Sequence, residues 1–198
     1  MILGITGGTG CGKTTLLRCI AQAGGVILDC DEIYHDLLRT DPELLRAIEE
    51  RFPGTVKNGV LLRKVLGERV FSDENALADL NRITHSAVKA EVLRRLESCP
   101  TLAAIDAIAL FEGGLAPLCN VTVAVTAPAE DRVRRLMIRD GISEEYARKR
   151  IAAQHDPRWF RERCDWVLDN DSTLEAFQEK CLAFLRQLGI IDSGAKLP

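Results

Sequence analysis

No stretch of this chain stays apolar for long enough to cross a membrane. The longest candidate, Leu102 to Phe111, is broken by Asp106. Internal repeats and low-complexity tracts are also missing, which excludes solenoid and collagen-like designs. The seven cysteines (Cys11, Cys19, Cys30, Cys99, Cys119, Cys164 and Cys181) form no C-x-x-C pair and no metal-type spacing with histidine. An odd, scattered set of this kind fits a reducing compartment better than a disulfide framework. An apolar strand pattern starts at Ile2 and leaves no room for a signal peptide, so the expected location is the cytoplasm. The formal net charge of -3 lacks the basic excess that general nucleic-acid binding requires. What remains is a chain of 198 residues, 46% hydrophobic and 28% charged. That is enough for one sizeable α/β core with an inserted subregion.

Strand and helix patterns alternate, which favours a mostly parallel sheet covered by helices on both faces. Five strands are expected: Ile2 to Ile5, Gly25 to Leu28, Leu102 to Ile105, Val121 to Val125 and Trp166 to Leu168. The third is expected to run on to Asp106 and then to Leu110-Phe111-Glu112. An amphipathic helix is expected from about Leu174 to Leu188, with candidate caps at Asp171-Ser172-Thr173. The tail from Asp192 to Pro198 is expected to fray.

Between the second and third strands, helical patterns over Pro42 to Phe52, Leu61 to Val70 and Asn75 to Leu96 are too long for a simple crossover. Turns are marked at Pro53-Gly54 and Asn58-Gly59. We read this interval as a helical insertion that forms a platform for an acceptor substrate. A second appended element, from about Met137 to Phe160, is helical, rich in arginine and suited to a mobile lid. The expected organisation is one domain over 1–198, with a core of about 1–32, 99–136 and 164–191. The insertion spans about 33–98 and the lid about 137–163.

The run Gly7-Gly8-Thr9-Gly10-Cys11-Gly12-Lys13-Thr14 fits G-x-x-x-x-G-K-[ST] in full. It follows the first strand pattern and precedes a helical one, the context in which backbone N–H groups cradle a nucleotide's phosphates. The motif, from Gly7 through Gly8, Thr9, Gly10, Cys11, Gly12 and Lys13 to Thr14, predicts an ATP or GTP site; Thr15 follows it at the start of the helical pattern. Lys13 would reach the β- and γ-phosphates, and the Thr14 hydroxyl would ligate Mg²⁺. Cys11 fills a position that needs a small residue.

Phosphoryl transfer also needs an acceptor held in line and a group to orient or deprotonate it. Asp29 and Asp31, two apart at the end of the second strand, would point to one side in extended geometry. One could receive a hydroxyl proton while the other acts through metal-bound water; alternatively, Asp31 caps the following helix. Glu112 could bind substrate or hold a metal-bound water, and Asp106 needs a partner if buried. From Arg132 to Arg163, Arg and Lys outnumber Asp and Glu two to one. Arg139, before Asp140-Gly141, falls near the lid hinge, where it could close on the transferring phosphoryl group. Arg132, Arg134, Arg135, Arg148 and Arg150 compete for that role. His85, Trp159 and Trp166 read more simply as packing residues.

Taken together, these segments resemble the dephospho-CoA kinase family. Gly4-Ile5-Thr6-Gly7-Gly8-Thr9-Gly10-Cys11-Gly12-Lys13-Thr14-Thr15 is similar to its G-L-T-G-G-I-G-S-G-K-S-T opening. Leu28-Asp29-Cys30-Asp31-Glu32-Ile33 is similar to its D-A-D-x-[IV] segment, and Gly59 to Arg63 followed by Val70-Phe71 to its G-x-L-[DN]-R … V-F stretch. Leu80-Asn81-Arg82-Ile83-Thr84-His85 matches L-N-x-I-x-H, and Leu110-Phe111-Glu112 stands in place of P-L-L-F-E. Arg139, then Arg150 to Gln154, then Asp165 to Asn170, follow R … R-I-x-x-Q … A-D-x-V-I-x-N.

The resemblance spans nearly the whole chain and implies a three-layer P-loop kinase fold with a parallel five-stranded sheet, a helical substrate-binding insertion and a helical lid. It implies ATP-dependent phosphorylation of the 3′-hydroxyl of dephospho-CoA, the last step of coenzyme A synthesis, with Mg²⁺. It implies a catalytic base at Asp31, phosphate binding from Gly8 to Thr15, catalytic roles for Lys13 and Arg139, and acceptor contacts from Asp31, His85 and Glu112. The expected partners are ATP and dephospho-CoA, with no nucleic acid and no membrane, in a monomer or small homo-oligomer. Cys30, Ser86, Ile108 and Cys11 depart from the family's usual alanine, proline, proline and serine. A nucleoside or nucleotide kinase would share the same core, whereas a guanine-reading switch would usually carry an N-K-x-D segment, which this chain lacks.

Overall fold

The computed structural model of the protein describes residues 1–99 and 101–192. The fraying expected beyond Asp192 lies outside the described residues. The chain runs β1 (Ile2–Thr6), α1 (Lys13–Gln22), β2 (Val26–Asp29), α2 (Cys30–Thr40), α3 (Pro42–Arg51), β3 (Val56–Lys57), β4 (Val60–Leu61), α4 (Arg63–Val70) and α5 (Glu74–Glu97). It continues through β5 (Ala103–Asp106), a 3-10 turn at Ala116–Leu118, β6 (Val121–Thr126), α6 (Ala129–Asp140), α7 (Glu144–Ala152), α8 (Pro157–Arg163), β7 (Trp166–Asp169) and α9 (Leu174–Gln187). The five expected strands form one parallel sheet in the order β2-β5-β1-β6-β7. Chain order reverses around β1, so the loop after β1 leaves the sheet at a topological switch point, where open α/β sheets bind ligands.

Two compact units divide the chain. The first comprises Met1–Ile27, Cys99–Leu110 and the chain from Ala116 onward. Its β1 pairs with β5 on one side (Leu3 opposite Ala104) and with β6 on the other (Leu3 opposite Val121), and β7 extends the sheet beyond β6. Leu3, Ile5, Ala104, Ile105, Val123 and Val125 are fully buried, as expected of strands covered on both faces. Leu16, Cys19 and Ile20 of α1 and Phe177, Cys181, Phe184 and Leu185 of α9 complete this core at helical spacing. Each large side chain so buried contributes roughly 1.5–3 kcal/mol relative to exposure. Thr173 is the residue that caps α9, accepting the Ala176 N–H. Asp165 accepts both the N–H and the hydroxyl of Thr122 at 2.7 Å, which closes the edge between β6 and β7 and lowers the Asp165 pKa.

α6 begins at Ala129, ahead of the helical element expected from about Met137. It ends on left-handed Gly141, and α7 starts from its Ser143 cap. Val133, Leu136 and Ala147 join the two helices, flanked by Ile142 and Ile151. The third strand also differs from expectation. Its last ladder bond is Ala107 N–H to Ile5 O, and Leu110 to Glu112 lie in turns that lead to left-handed Gly114.

The second unit, Leu28–Ser98 with Phe111–Leu115, is mainly helical. Asp29, Asp41 and Asp73 each cap a helix by accepting two backbone N–H groups. Leu38, Leu44, Leu45, Ile48, Phe52, Leu66, Val70 and Ala76 form its core. The turn expected at Asn58-Gly59 proves to join a short hairpin, with Val56 opposite Leu61 and Lys57 opposite Val60. Both turn residues take positive φ (53° and 72°), as tight hairpins with the natural strand twist require. Because Leu61 is paired in β4, the following helix starts at Arg63 and not at Leu61.

No helix among the described residues is long and apolar enough to cross a membrane.

Candidate active site

In the first unit, the segment between Thr6 and Lys13 is built around backbone that side chains would obstruct. Gly7 has φ +126°, and a Cβ there would lie 2.1 Å from the Val125 carbonyl oxygen. Gly12 has φ +99° and stands at the N-cap of α1 without any side-chain cap bond. The first-turn N–H groups of α1 therefore have no capping side chain, and they carry the positive end of the helix dipole.

The loop's carbonyls are all turned toward donors. Lys13 Nζ donates to Gly7 O at 3.0 Å, and Arg132 Nε to Thr9 O at 2.9 Å. Arg135 donates to Gly10 O at 3.1 Å and to Cys11 O at 3.4 Å, and Asn170 Nδ2 to Cys11 O at 2.8 Å. A loop with its carbonyls held back in this way concentrates N–H groups and positive charge on its other side, which suits a polyphosphate. The Thr14 hydroxyl is exposed beside it, a hard oxygen donor of the kind Mg²⁺ takes. Cys11 is buried; desolvation raises its thiol pKa, and Arg132 and Lys13 partly offset that rise. The thiol serves as packing.

At the ends of β6 and β7, a cavity of about 280 Å³ is lined by Thr126, Pro128, Pro157, Arg161, Asp169 and Asn170. It sits in the same unit as the loop, and Asn170 belongs to both. Arg139, expected at the lid hinge, forms a two-point pair with Asp140 (2.6 and 3.0 Å), and Arg150 reaches the same carboxylate at 2.7 Å. Arg139 and then Arg150 hold the Asp140 carboxyl down at about 2.

In the second unit, Asp29 and Asp31 do not form the extended, same-side pair that the sequence suggested. The helix starts at Cys30, so Asp29 is its cap, with Oδ1 accepting from Asp31 N at 2.9 Å and from Glu32 N at 3.0 Å. Asp31 lies in the first turn with its carboxylate exposed, so it neither caps the helix nor pairs with Asp29. His85 is half-buried in the middle of α5, and Glu112 is exposed in the turn after Leu110.

Arg132 emerges from the pool of six candidate arginines because it is the buried one, at 5% exposure. A signal for this was present in the sequence: Arg132 is four residues before Leu136 and so lies on the same helix face as that buried leucine. Trp159 stacks on His155 at 3.8 Å between ring centres, and Trp166 meets Phe184 edge-on, so both tryptophans pack as expected.

A model of the dephospho-CoA kinase family matches residues 1–176. The dephospho-CoA kinase of Deinococcus radiodurans is 39% identical over 193 residues, covering 95% of this chain and 92% of its own. A crystal structure of a protein from Thermus thermophilus aligns with a TM-score of 0.79 at 34% identity, over 95% of this chain and 97% of that one. A shikimate kinase from Bacteroides thetaiotaomicron, 17% identical with a TM-score of 0.52 over 96% of this chain and 98% of its own, shares the fold alone. With a phosphate loop at the switch point of a P-loop kinase sheet and a family match over most of its length, this chain is a kinase and belongs to the dephospho-CoA kinase family.

Proposed function

We propose that the protein transfers the γ-phosphoryl group of ATP to the 3′-hydroxyl of dephospho-CoA, giving coenzyme A and ADP as the last step of coenzyme A synthesis. The observation that carries this reading is the loop from Gly7 to Thr14, with its carbonyls held back, in a chain that matches the family from residue 1 to 176. The segment from Gly8 to Thr15 holds the phosphates through those N–H groups that are not already bonded within the protein, as Thr9, Cys11 and Thr15 are, and the Lys13 ammonium leaves the Gly7 carbonyl for the β- and γ-oxygens. The Thr14 hydroxyl would hold Mg²⁺, which when bound would offset the negative charge of the phosphates. The cavity beside Asn170 receives the nucleoside end of ATP.

Asp31 orients the ribose hydroxyl and accepts its proton as the new O–P bond forms and the bond to ADP breaks. Its exposure leaves it open to such a substrate, while the cap at Asp29 fixes the backbone on which it stands. His85 and Glu112 contact the acceptor. We assign residues 33–98 to acceptor binding and 137–163 to a lid in which Arg139 exchanges Asp140 for the transferring phosphoryl group. Lid closure excludes water, which would otherwise compete as acceptor. We place the reaction in the cytoplasm, in a monomer or small homo-oligomer.

The test is ADP release with Mg-ATP, comparing dephospho-CoA with adenosine, cytidine, uridine, AMP and CMP, with mass spectrometry of the product. Selective turnover of dephospho-CoA to coenzyme A is expected. Preference for a nucleoside or nucleotide would overturn the acceptor assignment and leave the phosphate site standing.

A further inference from the structure

Arg132 is a buried cation whose polar contacts are all neutral. Its Nε donates to the Thr9 carbonyl at 2.9 Å and its NH2 to Gln154 Oε1 at 2.7 Å. The same Gln154 oxygen accepts the Thr9 N–H at 2.9 Å. The result is a closed ring: Gln154 Oε1 accepts from both the Thr9 N–H and Arg132, and Arg132 donates in turn to the Thr9 C=O. Both polar groups of one loop residue are thus fixed by two side chains from far along the chain. The ring presses on the loop itself, since a Cβ at Gly8 would lie 2.3 Å from Arg132 NH2 and 2.8 Å from Gln154 Oε1.

Among the described residues, no carboxylate pairs with this guanidinium, although it is 5% exposed. A buried charge without an opposite partner is costly, and such an arrangement persists where something else supplies the counter-charge. Lys13 and Arg132 both act electrostatically on the Cys11 thiol, so both positive fields reach the middle of the loop.

We propose that Arg132 is a positioning residue of the nucleotide site, fixing the Thr9 peptide with the help of Gln154 and lending the loop a buried positive charge whose counter-ion is the bound polyphosphate. This inference rests on the kinase reading. It differs from a scaffolding role in its sign: the charge strains the empty protein and favours the nucleotide complex.

The experiment is calorimetric titration of wild type, Arg132→Gln, Arg132→Lys and Gln154→Ala with Mg-ADP and with adenosine, alongside thermal melts and steady-state kinetics. Arg132→Gln can keep a donor for Thr9 while losing the charge. It should melt no lower than wild type without nucleotide, yet bind Mg-ADP about tenfold more weakly or worse. Its affinity for adenosine and its KM for dephospho-CoA should stay unchanged while its KM for ATP rises. Arg132→Lys should recover part of the loss. Mg-ADP binding by Arg132→Gln within about twofold of wild type would overturn the inference, as would a lowered melt with affinity intact.

If Arg132→Gln does not fold, Arg132→Lys and Gln154→Ala carry the test. Each should weaken Mg-ADP binding, and the double variant should be no weaker than the worse single one, as members of one ring behave. Additive losses would overturn it. Failure of wild type itself to bind Mg-ADP would bring down the kinase reading together with this inference, whereas equal binding by wild type and Arg132→Gln brings down the inference alone.

Discussion

Asn170, just past β7, donates from its side-chain amide to the Cys11 carbonyl at 2.8 Å, a bond that spans 159 positions of sequence. Its own N–H donates to Thr126 O at 2.8 Å, so one buried residue joins the ends of β6 and β7 to the phosphate loop. Asn170→Ala should leave that carbonyl without its amide donor, at a cost of about 1–3 kcal/mol. We expect a lower urea midpoint and a raised KM for ATP, with the KM for dephospho-CoA unchanged. An unchanged KM for ATP would mean that the bond serves folding only.

Asp29 and Asp31 should separate cleanly in stability and turnover. Asp29→Ala removes the cap of α2 and should cost about 1 kcal/mol in denaturant unfolding. Asp31→Asn should leave stability unchanged and lower kcat about a hundredfold or more. Near-normal turnover by folded Asp31→Asn would remove it from the mechanism. Lys13→Ala should likewise lower turnover about a hundredfold or more by withdrawing charge from the transferring phosphoryl group.

Two glycines with positive φ provide a matched pair. Gly24 has φ +85° with no atom within 4 Å of where a methyl group would sit, so Gly24→Ala carries conformational strain alone, about 1 kcal/mol. Gly7→Ala adds a 2.1 Å collision with the Val125 carbonyl, which is backbone and cannot rotate away. It should cost more than about 3 kcal/mol and abolish Mg-ADP binding. Similar unfolding midpoints for the two variants would show that the loop yields at Gly7.

Stability should fall in acid through identifiable carboxylates. Hydrogen bonds from Arg94 and then Arg95 hold Glu91 at about 2, against an ordinary 4.5. Since the folded-state value is the lower one, this contribution is complete above about 4.5 and is lost as pH falls toward about 2. Glu91→Gln should lower the melting temperature at pH 7 and flatten its decline between pH 4.5 and 2. A decline as steep as wild type would assign the acid sensitivity elsewhere, with Asp140 the next carboxylate to test.

The five sheet strands were legible because parallel strands buried on both faces read as short apolar runs, and the phosphate loop because its glycines and Lys13 have fixed spacing. The hairpin at Val56 to Leu61 was not, because two-residue strands are too short to show alternation; only the Asn58-Gly59 turn shows in the sequence. Asp29 and Asp31 were misread together because their spacing has a different meaning once a helix begins at Cys30 between them. Arg139 and Arg132 look alike as letters. What separates them is burial and partners: Arg139 faces Asp140 at the surface, while Arg132 is enclosed behind Thr9.

The first strand of the chain lies in the interior of its sheet, and this has a consequence for synthesis. Ile2 pairs with Ala103 and Leu3 with Val121, so β1 leaves the ribosome about 5–20 s before either neighbour exists. The helical unit, contiguous from residue 28 to 98 apart from Phe111–Leu115, can gather most of its core during that interval. The phosphate loop must wait longer, for Arg132, Gln154 and Asn170 to arrive and for α9 to cover α1. The phosphate loop is thus the last part of the fold to be completed, and a chain stopped before α9 should present a folded helical unit and an unformed loop.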